Sequence, residues 1–274
     1  MEKRYILYLY MPFISVNIPE YQSFLFTSSP SSVRDILLSL ALTYSLSFNT
    51  FIISPKSSLS ISIEFGLSKF ILRSMVKEQV DLLEELFPNR FEITTNRDET
   101  EYIYTVEKLS KLSGKKLHGK RNHIARFKDN ANWSYEDISD DNFKECLEMN
   151  DEWCKLYDCI DDPSLNHELC AVKEAFGNYN ELGLVGGLLR REGKVIAYTI
   201  GSRINEDTFN IHIEKAFANI QGAYPMINQQ FVQHNCQEYV YVNREEDLGD
   251  EGLRKAKMSY YPDVLLDKYT ARLL

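Results

Sequence analysis

The stretch LGLVGGLLRREGKVIAYTIGSRINEDTFNIHIEK, residues 182–215, decides the fold. Three runs rich in Val, Ile, Leu, Tyr and Phe, at 182–190, 194–204 and 208–215, are joined by REGK and NED. Short polar joints of this kind turn a chain back on itself, so the stretch predicts an antiparallel meander. Upstream, residues 140–157 predict a helix, with Phe143, Leu147 and Trp153 on one face and Asp140 favouring its start. A second helix is expected over 167–176. Downstream the pattern predicts a helix at 222–235, a strand at 238–243, a helix at 250–258 and a strand at 264–273.

The first half alternates in the same way. Strands are expected at 5–10, 51–53, 60–65 and 90–94. Helices are expected at 33–46, at 75–87 with Pro88 as its stop, and at 100–112 with Val106, Leu109 and Leu112 on one face. The mixture is α+β. No internal repeat or low-complexity segment interrupts it.

The 274 residues suit one large domain or two ordinary ones. A composition 44% hydrophobic and 26% charged is that of a folded globular chain. The net charge of −9 hides a strong asymmetry. Residues 115–128 carry six Lys and Arg and no acid, whereas residues 129–274 carry 14 basic against 27 acidic residues. An acidic body disfavours DNA and extended nucleic-acid tracks, yet the local patch suits one anionic group. The five cysteines have no CxxC spacing and read as reduced thiols of a cytoplasmic protein. No metal-ligand spacing occurs, so no metal is expected. The opening MEKRYILYLYMPF lacks the pattern of a signal peptide. The uncharged run 36–55 is long enough to span a bilayer, but its Ser, Thr and Asn residues predict a buried helix followed by a strand, with no stable membrane insertion.

Three segments carry candidate chemistry. In GKKLHGKRNHIARF, residues 114–127, a helix would turn Leu117, Ile124 and Phe127 inward. Lys116, Lys120 and His123 would then share another face, with Arg121 beside them, as a phosphate-binding row. A solvated basic face is the plainer alternative. In HIEKAFANIQGAYPMINQQF, residues 212–231, His212 and Glu214 alternate on a strand and are expected on one face. Gly222, Ala223 and Tyr224 open a helix whose free N–H groups could cradle an anion. In YVNREEDLGDEGLRKAKMSYYPD, residues 241–263, Asn243, Arg244, Glu245, Asp247 and Lys255 could hold a zwitterionic or amine-bearing substrate, or form a surface salt-bridge network. No GxSxG elbow and no P-loop is present, so a covalent nucleophile has no sequence support.

The element order resembles that of the GNAT acyltransferase domain. There the strand-to-helix turn holds the acyl carrier's pyrophosphate, usually with a Q/R-x-x-G-x-G/A signature. Here it reads Asn219-Ile-Gln-Gly222-Ala-Tyr224, with Tyr224 replacing the last small residue. The three segments together resemble the bacterial family related to the C-terminal domain of phosphatidylglycerol lysyltransferase, from about residue 98 to the end. That resemblance implies tandem GNAT-like domains with mixed central sheets flanked by helices. A degenerate N-terminal domain over 1–113, a basic linker helix over 114–130 and a second domain over 131–274 would follow. It also implies an acyl or aminoacyl donor, either aminoacyl-tRNA or acyl-CoA. Glu214 would be the base, with His212 nearby, and Tyr260 the acid. The basic segment would then meet a tRNA acceptor end or the donor's phosphates. An aminoacyl-tRNA-dependent transferase, a CoA-dependent N-acetyltransferase and a non-catalytic binding module all fit the sequence. Donor, acceptor and oligomeric state are left open by it.

Overall fold

The computed structural model describes residues 51–53, 61–66, 69–129, 132–156 and 163–274. The strand and helix expected at 5–10 and 33–46, residue 60 of the strand expected at 60–65, and all of the run 36–55 except 51–53 lie outside them. In chain order the strands are β1 (Phe51–Ile53), β2 (Ile61–Gly66), β3 (Lys69–Met75), β4 (Phe91–Thr95), β5 (Glu101–Thr105), β6 (Trp133–Asp137), β7 (Val185–Arg191), β8 (Lys194–Arg203), β9 (Thr208–Ala216), β10 (Tyr241–Asn243), β11 (Val264–Leu266) and β12 (Tyr269–Leu273). The helices are α1 (Lys77–Leu86), α2 (Val106–Lys111), α3 (His118–Asp129), α4 (Phe143–Leu156), α5 (Pro163–Gly177), α6 (Ala223–Asn235) and α7 (Glu251–Met258).

Contacts divide the described chain into two units. The smaller holds residues up to 102, 246–258 and 264–274; the larger holds 103–245 and 259–263. The division thus falls inside β5, not at the expected 113/114, and the C-terminal residues are shared between the units.

The smaller unit carries the antiparallel order β1-β2-β3-β12-β4. Its core is Leu72, Met75, Val80, Leu83 and Ala271, with α1 turning Val80 and Leu83 inward at helical spacing. Burying one such side chain contributes about 1.5–3 kcal/mol.

The larger unit carries the order β5-β10-β9-β8-β7-β6. The expected meander forms: β7 pairs antiparallel with β8, and β8 with β9. β10 then lies parallel to β9 and antiparallel to β5. One sheet face packs on α4 and α5 through Cys146, Met149, Trp153, Val172, Phe176, Tyr198 and Ile200. The other receives α6, whose Asn228 bonds Glu214.

Three expectations are corrected. Residues 100–112 are not one helix: EYIYT forms β5 and only Val106–Lys111 is helical, because Thr105 accepts the Lys108 N–H and starts the helix there. Residues 264–273 form two strands. His212 and Glu214 do not share a face. Ile200 pairs with Ile213 but Gly201 with Ile211, so His212 is an extra residue in a β-bulge that breaks the alternation.

Candidate functional site

The α3 helix forms as the sequence predicts, with Leu117, Ile124 and Phe127 buried. It lies against the start of α6 at Gly222. That residue has φ +87, and a Cβ there would stand 2.4 Å from the His123 carbonyl oxygen. Glycine at 222 is therefore required both by the left-handed backbone and by the approach of α3. An open pocket of about 410 Å³ results, lined by Lys120, His123, Ala218, Asn219, Gln221, Gly222 and Pro225. Ala223 is buried in the first turn of α6 and Tyr224 is half-buried beside it.

Behind the pocket sits a buried charged cluster. Glu214 accepts from Arg244 at 2.7 Å through Oε1 and from Asn228 Nδ2 at 2.8 Å through Oε2. Both ion-pair side chains are about one-tenth exposed. The Arg244 guanidinium lies 5.0 Å from the ring centre of Tyr260 and 5.9 Å from that of Tyr104. The two rings meet edge to face at 6.3 Å. Tyr260 is 4% exposed, and burial pushes its hydroxyl well above the usual range, so it stays protonated. Its loop is pinned by Asp263, which accepts from the Thr105 N–H at 2.8 Å and pairs with Lys108.

Lys120 joins pocket and cluster. Its Nζ lies 4.1 Å from the centre of the Tyr260 ring. Burial, helped by the neighbouring Arg244 charge and opposed by Glu214, lowers its ammonium to about 8. It is a cation at neutral pH that an incoming anion would stabilise.

The other expected residues divide clearly. Arg121 donates to the carbonyls of Leu112 and Gly114, closing the end of α2. Lys116 is exposed and stands 5.1 Å over the Tyr261 ring. His212 lies on the α4 and α5 face, bonded to Ser202 and to Glu245, each at 2.8 Å. The Asn243 side chain accepts the Glu245 N–H at 2.8 Å. Asp247 and Lys255 belong to the smaller unit. Asp247 is fully buried and accepts from Arg254, from Tyr102 and from the Gly249 N–H, and its carboxyl is held well below the usual range despite burial. Lys255 is exposed.

Asn228, Tyr104 and Ser202 were not singled out from sequence. Asn228 had a readable signal, a polar residue among the inward Met226, Ile227 and Phe231 of α6.

The fold is α+β in two units, with an open pocket where the chain passes from β9 into α6. The family described as phosphatidylglycerol lysyltransferase, C-terminal, matches residues 68–272, and the chain belongs to it. A crystal structure of a conserved protein of unknown function from Bacteroides thetaiotaomicron is 35% identical, covers 82% of this chain and 85% of its own, and superposes with a TM-score of 0.75. L-PGS from Bacillus licheniformis is 18% identical over 73% of this chain and 66% of its own, with a TM-score of 0.51, a likeness of fold. An uncharacterised protein of Mycoplasmoides gallisepticum is 22% identical over 180 residues; the match spans 64% of this chain and 56% of that relative. Among the described residues, no helix is long and apolar enough to cross a membrane.

Proposed function

We propose that the chain is an aminoacyltransferase that moves an aminoacyl group from charged tRNA to an amine or hydroxyl acceptor. The observation that carries this reading is the position of Lys120, at once in the pocket at the start of α6 and against the buried Glu214–Arg244–Tyr260 cluster. Lys120 and His123 hold the donor's anionic end. The expected cradle of helix N–H groups does not form, because the Ala223 N–H donates to the Ile220 carbonyl, the Met226 N–H to the Gly222 carbonyl, and Pro225 has none. The exposed Lys115, Lys116, Arg126 and Lys128 extend that field toward nucleic-acid phosphates.

As the acceptor attacks the acyl carbonyl, negative charge grows on its oxygen, and the Lys120 ammonium is placed to meet it. Tyr260, kept protonated, supports the same oxygen or the leaving hydroxyl. Both oxygens of Glu214 are already engaged, so its part is to fix Arg244 and Asn228. Transfer within a ternary complex needs only this orientation and charge.

A transfer assay with radiolabelled aminoacyl-tRNA and a panel of amine and hydroxyl acceptors tests the reading. Labelled product lost in Lys120→Met supports it. Acyl transfer from acetyl-CoA alone, with no response to charged tRNA, would replace it with CoA-dependent acetylation at the same turn. Binding without turnover of either donor would make the chain a ligand-binding module.

A further inference from the structure

The bulge that moves His212 to the opposite face of β9 places it in a second constellation. Ser202 Oγ lies 2.8 Å from His212 Nε2, and Glu245 Oε1 lies 2.8 Å from His212 Nδ1. The three come from β8, β9 and the residues after β10, so only the folded sheet brings them together.

The hydrogen bonds choose a tautomer. Two groups face Nδ1: the Asn210 amide nitrogen at 3.1 Å and the Glu245 carboxylate at 2.8 Å. The carboxylate is the shorter contact and can only accept, which assigns the proton to Nδ1 and leaves Nε2 to accept from the Ser202 hydroxyl. Asn210 Nδ2 donates to the same Glu245 oxygen at 2.6 Å, which fixes the carboxylate from a second side. Glu245 is held in the left-handed region at φ 56, its N–H donating to Asn243 Oδ1. Such backbone positions cost free energy and persist where the surroundings hold them. The acid is thus aimed by its own backbone, by Asn243 and by Asn210. The Oδ1 of Asn210, buried at 1% exposure, has no hydrogen-bond partner within the described residues. One acceptor is left at the cluster for the N–H or O–H of an incoming nucleophile.

We propose that Ser202, His212 and Glu245 form a nucleophile–base–acid relay, a second acyl-transfer site that takes small acyl esters or thioesters. Ser202 Oγ attacks the acyl carbonyl while its proton passes to His212 Nε2, and Glu245 steadies the imidazolium through Nδ1–H. The leaving alcohol or thiol departs with the proton from Nε2, which leaves the acyl group on Ser202. An amine, hydroxyl or water then gives a proton to Nε2 and takes the acyl group, restoring the serine.

Ser202 is only 6% exposed, so the probe must be small. The full chain is treated with diisopropyl fluorophosphate, and the adduct is located by peptide mass spectrometry. p-Nitrophenyl acetate turnover is followed in parallel. The expected result is a phosphoryl adduct on Ser202, absent in Ser202→Ala and formed about 100-fold more slowly in His212→Gln. Glu245→Gln guards against a histidine variant that fails to fold, and it should slow both reactions in protein that still unfolds cooperatively. A folded protein with no adduct on Ser202, or an adduct rate indifferent to His212 and Glu245, overturns the proposal. Neither readout uses tRNA or CoA, so the result is independent of the donor at the Lys120 pocket.

Discussion

Arg244 and Asp247 are near neighbours in sequence, yet each anchors a charged cluster in a different unit. Around Asp247 the network is closed: Arg254, Tyr102 and the Gly249 N–H answer the carboxylate, and Arg254 reaches on to Asp98. Around Glu214 and Arg244 the pair is buried too, but the next charge outward is Lys120, which borders an open pocket. A closed network fixes a fold. One that leads to a desolvated cation at a pocket keeps charge ready for a ligand. The comparison separates the candidate site from structural ion pairs of similar residue content.

The largest effect should come from breaking the Glu214 cluster. Arg244→Met leaves a buried carboxylate without its cation and should cost about 3–5 kcal/mol, read from urea unfolding. A loss below about 1 kcal/mol would show that Glu214 finds another partner or solvent. Asp247→Asn should cost about 2–3 kcal/mol through weakened charged hydrogen bonds. Any activity should survive it at temperatures where the variant is folded; a specific activity loss would place Asp247 in the chemistry. The same carboxylate gives a pH signature. Its folded pKa lies below its unfolded value, so its stabilisation is complete above about pH 4 and drains away as pH falls below that. The Asn variant should lack this part of the acid loss.

Gly222→Ala should destabilise by about 1–3 kcal/mol, since the new methyl meets the His123 carbonyl and the backbone is left-handed. A neutral result would mean that α3 yields at that point. The smallest change in stability is expected for Lys120→Met, within about 0.5 kcal/mol of wild type, because an apolar side chain suits its half-buried place. Its effect should appear in binding instead, as a loss of about tenfold or more for an anionic donor.

Much of this organisation was legible beforehand. The three runs of residues 182–215 formed the meander because turn residues fall where β-rich runs end. The basic helix turned Leu117, Ile124 and Phe127 inward because their spacing is helical. What was missed depends on tertiary pairing. EYIYT continues into the apolar spacing of α2, so the two merged into one helix in the pattern, and only pairing with β10 separates them. The strand β6, WSYED, is too polar to stand out until β7 pairs with it. The bulge at His212 is a register slip between β8 and β9, invisible in one strand's alternation, and it moved a residue to the opposite face. Arg121 sat in the basic row by charge, but its reach to the Leu112 and Gly114 carbonyls depends on where α2 ends. Glu214, Arg244, Tyr260 and Lys120 were each visible as candidates, but their convergence required the fold.

The central claim is that Lys120 is a cation held ready for the anionic part of an acyl donor. The most direct test is a binding titration of an aminoacylated tRNA acceptor-stem mimic against wild type and Lys120→Met, at fixed salt, from pH 7 to pH 9. With an ammonium lowered to about 8, wild-type affinity should fall as pH rises through that value, and the Met variant should bind weakly with little pH dependence. Equal affinity in both proteins, unchanged across the same range, would contradict the account.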